Sequence, residues 1–139
     1  MDNQAKDSAI LCKIIAYCDK VHAALERFGN TRETFESDID YQSCCSMYVF
    51  QISEKSITLS ESLKSANPHV PWQMIRGMRN ILAHNYEALK VDRLWETMQN
   101  DLPKLREDCM RILSGLKSYY TLDENDDDFL VDDERYEQP

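Results

Sequence analysis

Glycine and proline are scarce in this chain, with 3 Gly and 4 Pro among 139 residues. That scarcity argues against a turn-rich all-β fold. Long apolar runs are missing too. None approaches the roughly 18 residues that a membrane-spanning helix needs, so no membrane association is expected. The first residues, Met1 to Ala9, are polar and do not read as a secretory leader. The 5 cysteines (Cys12, Cys18, Cys44, Cys45 and Cys109) contain no CxxC pair. Most fall within apolar helical patterns, as buried thiols of a reducing cytoplasm do. The 3 histidines (His22, His69 and His84) show no ligand spacing with them. No metal site is expected, and no cofactor.

What is present is acid, and it is unevenly placed. The net charge is -9. From Tyr120 to Pro139 there are nine acidic residues against the single base Arg135, so this segment carries -8 and the body only -1. A nearly neutral body leaves room for local basic clusters that bind phosphate. The length fits one domain. The expected organisation is a helical domain over residues 1–119 and an acidic tail without fixed structure over residues 120–139. Phe129, Leu130 and Val131 are the tail's candidates for docking.

Four amphipathic helices can be read along the body. Leu11, Ile14, Cys18, Val21, Leu25 and Phe28 recur at three- and four-residue steps, which predicts a first helix capped by Asp7 or Ser8 and ended by Gly29. Asn30 and Glu33 suggest a capping box for a short helix or turn over about 31–37. A second long helix is expected from Asp38 to Asn67-Pro68, with Tyr41, Cys45, Tyr48, Ile52, Leu59 and Leu63 on its stripe. The third runs from Pro71 to His84 and buries Met74, Ile75, Met78, Ile81 and Leu82. The fourth covers about 91–118 with Val91, Leu94, Met98, Leu102, Leu105, Cys109, Ile112 and Leu116 inward. Pro103 should kink or break it, with Asn100 or Asp101 capping the second half. The fold class is all-α, an antiparallel bundle of four to five helices.

The chemistry concentrates at the end of the third helix. Arg76, Asn80 and His84 share one helical face, and Arg79 reaches round from beside them. Taken singly, each has an ordinary explanation. An exposed arginine pairs with a carboxylate, and a C-terminal histidine complements the helix dipole. Asn85 ends a helix in a left-handed cap, and Tyr86 is a rim or core aromatic. Together they suit RNA cleavage without metal. A histidine can remove the ribose 2′-hydroxyl proton. An arginine can grip the phosphate as its charge grows. Asn80 can fix the imidazole tautomer or hold the phosphate. One helix supplies one histidine, whereas base and acid are both wanted. A homodimer that brings two motifs together would supply both. Apolar surface on the first helix and around the motif is expected to drive that pairing.

The string Arg79-Asn80-Ile81-Leu82-Ala83-His84-Asn85-Tyr86 resembles the RxxxxHxY signature of HEPN domains, in the branch of HepT-like toxins. Val91-Asp92-Arg93-Leu94-Trp95 and Asp101-Leu102-Pro103 are also similar to that branch. The likeness spans about residues 8–118. It implies a dimeric helical bundle and a metal-independent endoribonuclease toxin of a type VII-like pair, with Arg79 and His84 catalytic. The polar helix face itself puts Arg76 and Asn80 on the substrate. The likeness implies RNA as substrate and a minimal nucleotidyltransferase (MNT) antitoxin as partner. That partner silences the toxin by transferring AMP to Tyr86. An acidic tail is not part of the pattern. The alternatives are a non-catalytic HEPN subunit that helps a nucleotidyltransferase bind its substrate, or a structural adaptor. Intact Arg79 and His84 favour the enzyme.

Overall fold

The computed structural model describes residues 3–116. The helices are α1 (Asn3–Phe28), α2 (Arg32–Glu36), α3 (Ile39–Ile57), α4 (Glu61–Ala66), α5 (Trp72–His84), α6 (Val91–Glu96) and α7 (Leu102–Leu116). A 3-10 turn spans Tyr86–Ala88 and a π turn spans Thr97–Asp101. No strand occurs among the described residues. The chain is an all-α bundle, as its composition and periodicity imply. No described helix is long and apolar enough to cross a membrane. The acidic tail, with Phe129 to Val131, lies outside the described residues.

The long helices pack in the order α7, α1, α3, α5. α1 is therefore covered on two sides. Leu11 and Ile14 are fully buried, and Cys18, Val21 and Leu25 nearly so. That corrects the expectation that the α1 stripe stays open for a partner, because α3 and α7 consume it. The short α2 inserts Phe35 into the core. Its ring meets Tyr41 edge-on at 4.8 Å and Trp95 at 5.4 Å. Gly29 closes α1 at φ 114, a left-handed conformation that side chains resist. A Cβ there would also stand 3.3 Å from Thr34.

Several boundaries differ from those the sequence suggests, each for a local reason. α1 begins at Asn3, not at Asp7 or Ser8, and both of those side chains are buried. Asp7 works at long range. It accepts the backbone N–H of Ser60 at 2.9 Å and the Ser60 hydroxyl at 2.6 Å. Ser60 in turn caps α4 by accepting from Leu63 N–H. The expected single helix from Asp38 to Asn67 is thus broken at residues 58–60, because Ser60 and Asp7 satisfy a fresh helix start. Thr31, not Asn30, caps α2 by accepting from Thr34 N–H. Asp38 caps α3 as expected, accepting from Asp40 and Tyr41 N–H. Pro103 does not break the fourth helix. The π turn shifts bonding to five-residue spacing, with Leu102 N–H donating to the Thr97 carbonyl. Asn100 and Asp101 lie inside that turn and start no new helix.

α5 stands at the end of the row. Of the five residues expected on its buried side, only Met78 is buried. Ile75 and Leu82 are partly covered, while Met74 is 52% and Ile81 38% exposed. A mostly apolar cavity of about 180 Å³ separates Met74 and Met78 of α5 from Leu102 and Leu105 of α7. The helix that carries the motif leans on α3 and leaves a gap towards α7.

Candidate active site

The α5 backbone sets out the site. Residues four apart are about 6 Å apart along the axis, so Arg76, Asn80 and His84 form a line about 12 Å long. All three are exposed. The side chains of Arg76 and His84 make no hydrogen bond or ion pair among the described residues. Arg79 lies off this line and is the member tied to another helix. Its Nε donates to Glu54 Oε1 at 2.7 Å, across from α3. Its Nη1 donates to Asn80 Oδ1 at 3.3 Å, which turns the guanidinium towards the line. Nη2 remains available for a phosphate oxygen.

Glu54 is the residue that sequence reasoning missed. The hydrogen bond from Arg79 is the largest of the influences that hold its carboxyl below the usual glutamate range. It is therefore ionised wherever RNA chemistry at neutral pH would occur. The ordinary explanation for an exposed arginine, pairing with a carboxylate, is thus realised at Arg79. The pairing uses one N–H and leaves the outer edge of the guanidinium open. No signal in the sequence announces Glu54. Its meaning depends on α3 and α5 being neighbours.

Asn80 is bonded to Arg79 rather than to His84, so of its two suggested roles the arrangement favours the phosphate side. His84 is the last residue of α5. The next N–H, from Asn85, donates to the Ile81 carbonyl at 2.8 Å. Asn85 is not a left-handed cap. Its φ is -152, and no described residue other than glycine has positive φ. This extended residue turns the chain into the 3-10 turn that starts with Tyr86.

Tyr86 is 46% exposed. It borders a groove of about 430 Å³ with Met47 and Phe50 of α3 and Leu82 of α5. Met47 is itself 56% exposed. The motif therefore has an apolar flank on one side and a polar flank on the other. Among the described residues, no group of three or more His, Cys, Asp and Glu side chains could hold a metal ion.

A family model described as "Ribonuclease HepT-like" matches residues 14–112. The chain belongs to the HepT-like ribonuclease family. The match runs from the middle of α1 to the last turns of α7 and includes Glu54, Arg79, His84 and Tyr86. Curated relatives agree with it. "Probable ribonuclease HepT" of Thermococcus cleftensis is 34% identical over 55 residues, covering 40% of this chain and 50% of the relative. A candidate RNase of Methanocaldococcus jannaschii is 29% identical over 83 residues, covering 53% of this chain and 76% of the relative. Another from the same organism is 22% identical over 118 residues, covering 78% and 92%. No solved structure matches. Within this HepT-like bundle, Arg79 to His84 form the exposed end of α5, and Tyr86 opens the turn that follows.

Proposed function

We propose that this chain is a metal-independent endoribonuclease toxin whose active site is the exposed end of α5. The observation that carries the reading is the orientation of Arg79 by Glu54 and Asn80 on the same end of α5 as an unpaired His84. In this mechanism His84 takes the proton from a ribose 2′-hydroxyl. The 2′-oxygen attacks the adjacent phosphorus, and the bond to the 5′-oxygen of the next nucleotide breaks. The products are a 2′,3′-cyclic phosphate and a 5′-hydroxyl. Arg79 stabilises the charge that builds on the phosphoryl oxygens, with Asn80 holding its guanidinium. Arg76 binds the RNA backbone.

The leaving 5′-oxygen needs a proton, and a second copy's His84 would provide it. The exposed apolar residues Met47 and Tyr86, which border one groove, support a homodimer built through this flank. Tyr86 is also the proposed control point. Its hydroxyl oxygen would attack the α-phosphorus of ATP in a partner MNT nucleotidyltransferase, pyrophosphate would leave, and Tyr86 would carry AMP. The bulk and negative charge would then stand beside the phosphate site. Five cysteines outside any disulfide, three of them buried, suit the reducing cytoplasm.

The test is chemical. Purified protein incubated with single-stranded RNA in EDTA should release fragments ending in 2′,3′-cyclic phosphate. Loss of cleavage in chelator, or 3′-hydroxyl ends, would contradict the mechanism.

A further inference from the structure

A second cleft lies beside the motif, between α4 and the first turns of α5. It measures about 310 Å³, at the lower end of the roughly 300–1,000 Å³ of small-ligand sites. Glu61, Lys64, Trp72, Gln73 and Arg76 line it. Its walls are fixed. The Trp72 indole N–H donates to the carbonyls of Lys64 at 3.2 Å and Asn67 at 3.0 Å. The Lys64 side chain is only 12% exposed, and its ammonium donates to the Ile57 carbonyl at 3.1 Å. It also pairs with Glu61 at 2.9 Å.

Those two contacts use two of the three ammonium N–H groups. One donor therefore stands next to a carboxylate with acceptor capacity to spare. A donor beside an acceptor is what the edge of a nucleobase requires, and single-stranded RNA is read by such edge contacts. Glu61 faces the charges of both Lys64 and Arg76, so one carboxylate stands against two cations and the cleft stays net positive, with Arg76 in no direct ion pair. Arg76 also lies on the motif line, about 6 Å before Asn80 and about 12 Å before His84 along the axis. That separation is within reach of one or two nucleotides of an extended strand. A cationic groove that tracks the backbone beside pockets for bases is the usual design for single strands.

We propose that this cleft is a subsite for one nucleotide flanking the scissile phosphate, with Arg76 on its phosphate and the Glu61–Lys64 pair on its base edge. The proposal rests on the ribonuclease reading above and extends it to sequence preference. The ligand is single-stranded RNA, and the recognised unit is one nucleotide outside the cleavage step.

The experiment uses 2′-O-methyl RNA oligonucleotides, which cannot be cut, with binding read by fluorescence anisotropy. Dinucleotides and pentanucleotides are compared on the wild-type chain and on Arg76→Ala, Gln73→Glu and Lys20→Gln. All three substitutions are at exposed positions and shift the net charge by the same amount. The wild type should bind pentanucleotides more tightly than dinucleotides. Arg76→Ala and Gln73→Glu should each remove roughly fivefold or more of that gain. Lys20→Gln, on α1, should leave it intact. A gain that survives Arg76→Ala and Gln73→Glu, or that falls equally in Lys20→Gln, overturns the subsite. Cleavage of ordinary RNA is assayed in parallel. Intact cleavage with no effect of the cleft variants removes the subsite alone, whereas absent wild-type cleavage removes the ribonuclease reading and the subsite with it.

Discussion

α1 buries eight of its 26 residues, and the apolar ones form the centre of the bundle. α5 buries Met78 alone among its 13. Both helices carry apolar stripes of helical period, yet they do opposite work. α1 is sandwiched between α3 and α7, so its stripe is spent on folding. α5 rests on α3 at the edge of the row, so its polar side faces solvent and much of its apolar side is still open. The lesson is a division of labour. Burial is concentrated in α1, where packing is two-sided, and the proposed chemistry sits on α5, where packing is one-sided and side chains remain available.

Truncation of the core should produce the largest effect. Leu11→Ala or Ile52→Ala should cost roughly 2–5 kcal/mol in denaturant unfolding, through lost burial and the cavity left behind. Exposed α5 positions such as Arg76 should stay within about 0.5 kcal/mol. Comparable losses in the two sets would erase the contrast between the helices.

The next effect sharpens the contrast at the one point where α5 is tied to α3. Glu54→Gln removes the charge that orients Arg79. Cleavage should fall several-fold, mainly in kcat, while the unfolding midpoint barely moves. A normal turnover rate in that variant would show that Arg79 needs no orientation from α3.

Thiol chemistry gives a smaller, local readout of the packed side. Burial pushes Cys18, Cys45 and Cys109 up to about 12. A thiol raised in the folded state stays protonated at pH 8. Its contribution to stability is present below the unfolded value and is lost as pH climbs towards 12. Alkylation at pH 8 followed by mass spectrometry should therefore modify Cys12 and Cys44 well before the buried three. Early labelling of Cys18 or Cys109 would mean that the α1–α7 interface opens readily.

The weakest expected effect concerns the acidic tail, whose charge opposes RNA at the exposed side. Deleting residues 121–139 should raise RNA affinity at low salt. The difference should shrink as salt rises, since exposed charges are screened over about 8 Å at physiological ionic strength. Equal affinity of the two forms at low salt would mean that the tail only solvates.

Much of this division is legible in the amino-acid sequence. The α1 stripe can be read because periodicity and burial coincide when a helix is packed on two sides, and the α7 stripe because it lies against α1. The α5 stripe misleads for the same reason. Met74 and Ile81 fit the period, but only a neighbour can bury them, and at Met74 α7 stands off across a cavity. The break before Ser60 is hidden because it depends on Asp7, 53 residues away in sequence. At the site, Arg76, Arg79, Asn80 and His84 fall on the helix that spacing assigns them to. Their local geometry is set by consecutive turns of one element. Glu54 cannot be found that way, since its part is defined across two helices.

The most direct test of the central claim is to measure cleavage and stability together in Arg79→Ala and His84→Ala. Each variant should lose roughly 100-fold or more in RNA cleavage, the range for a missing acid–base or charge-stabilising group. Each should keep an unfolding midpoint within error of wild type, because α5 presents these side chains rather than packing them. Wild-type cleavage in either variant, or cleavage lost only in step with the fold, would contradict the claim.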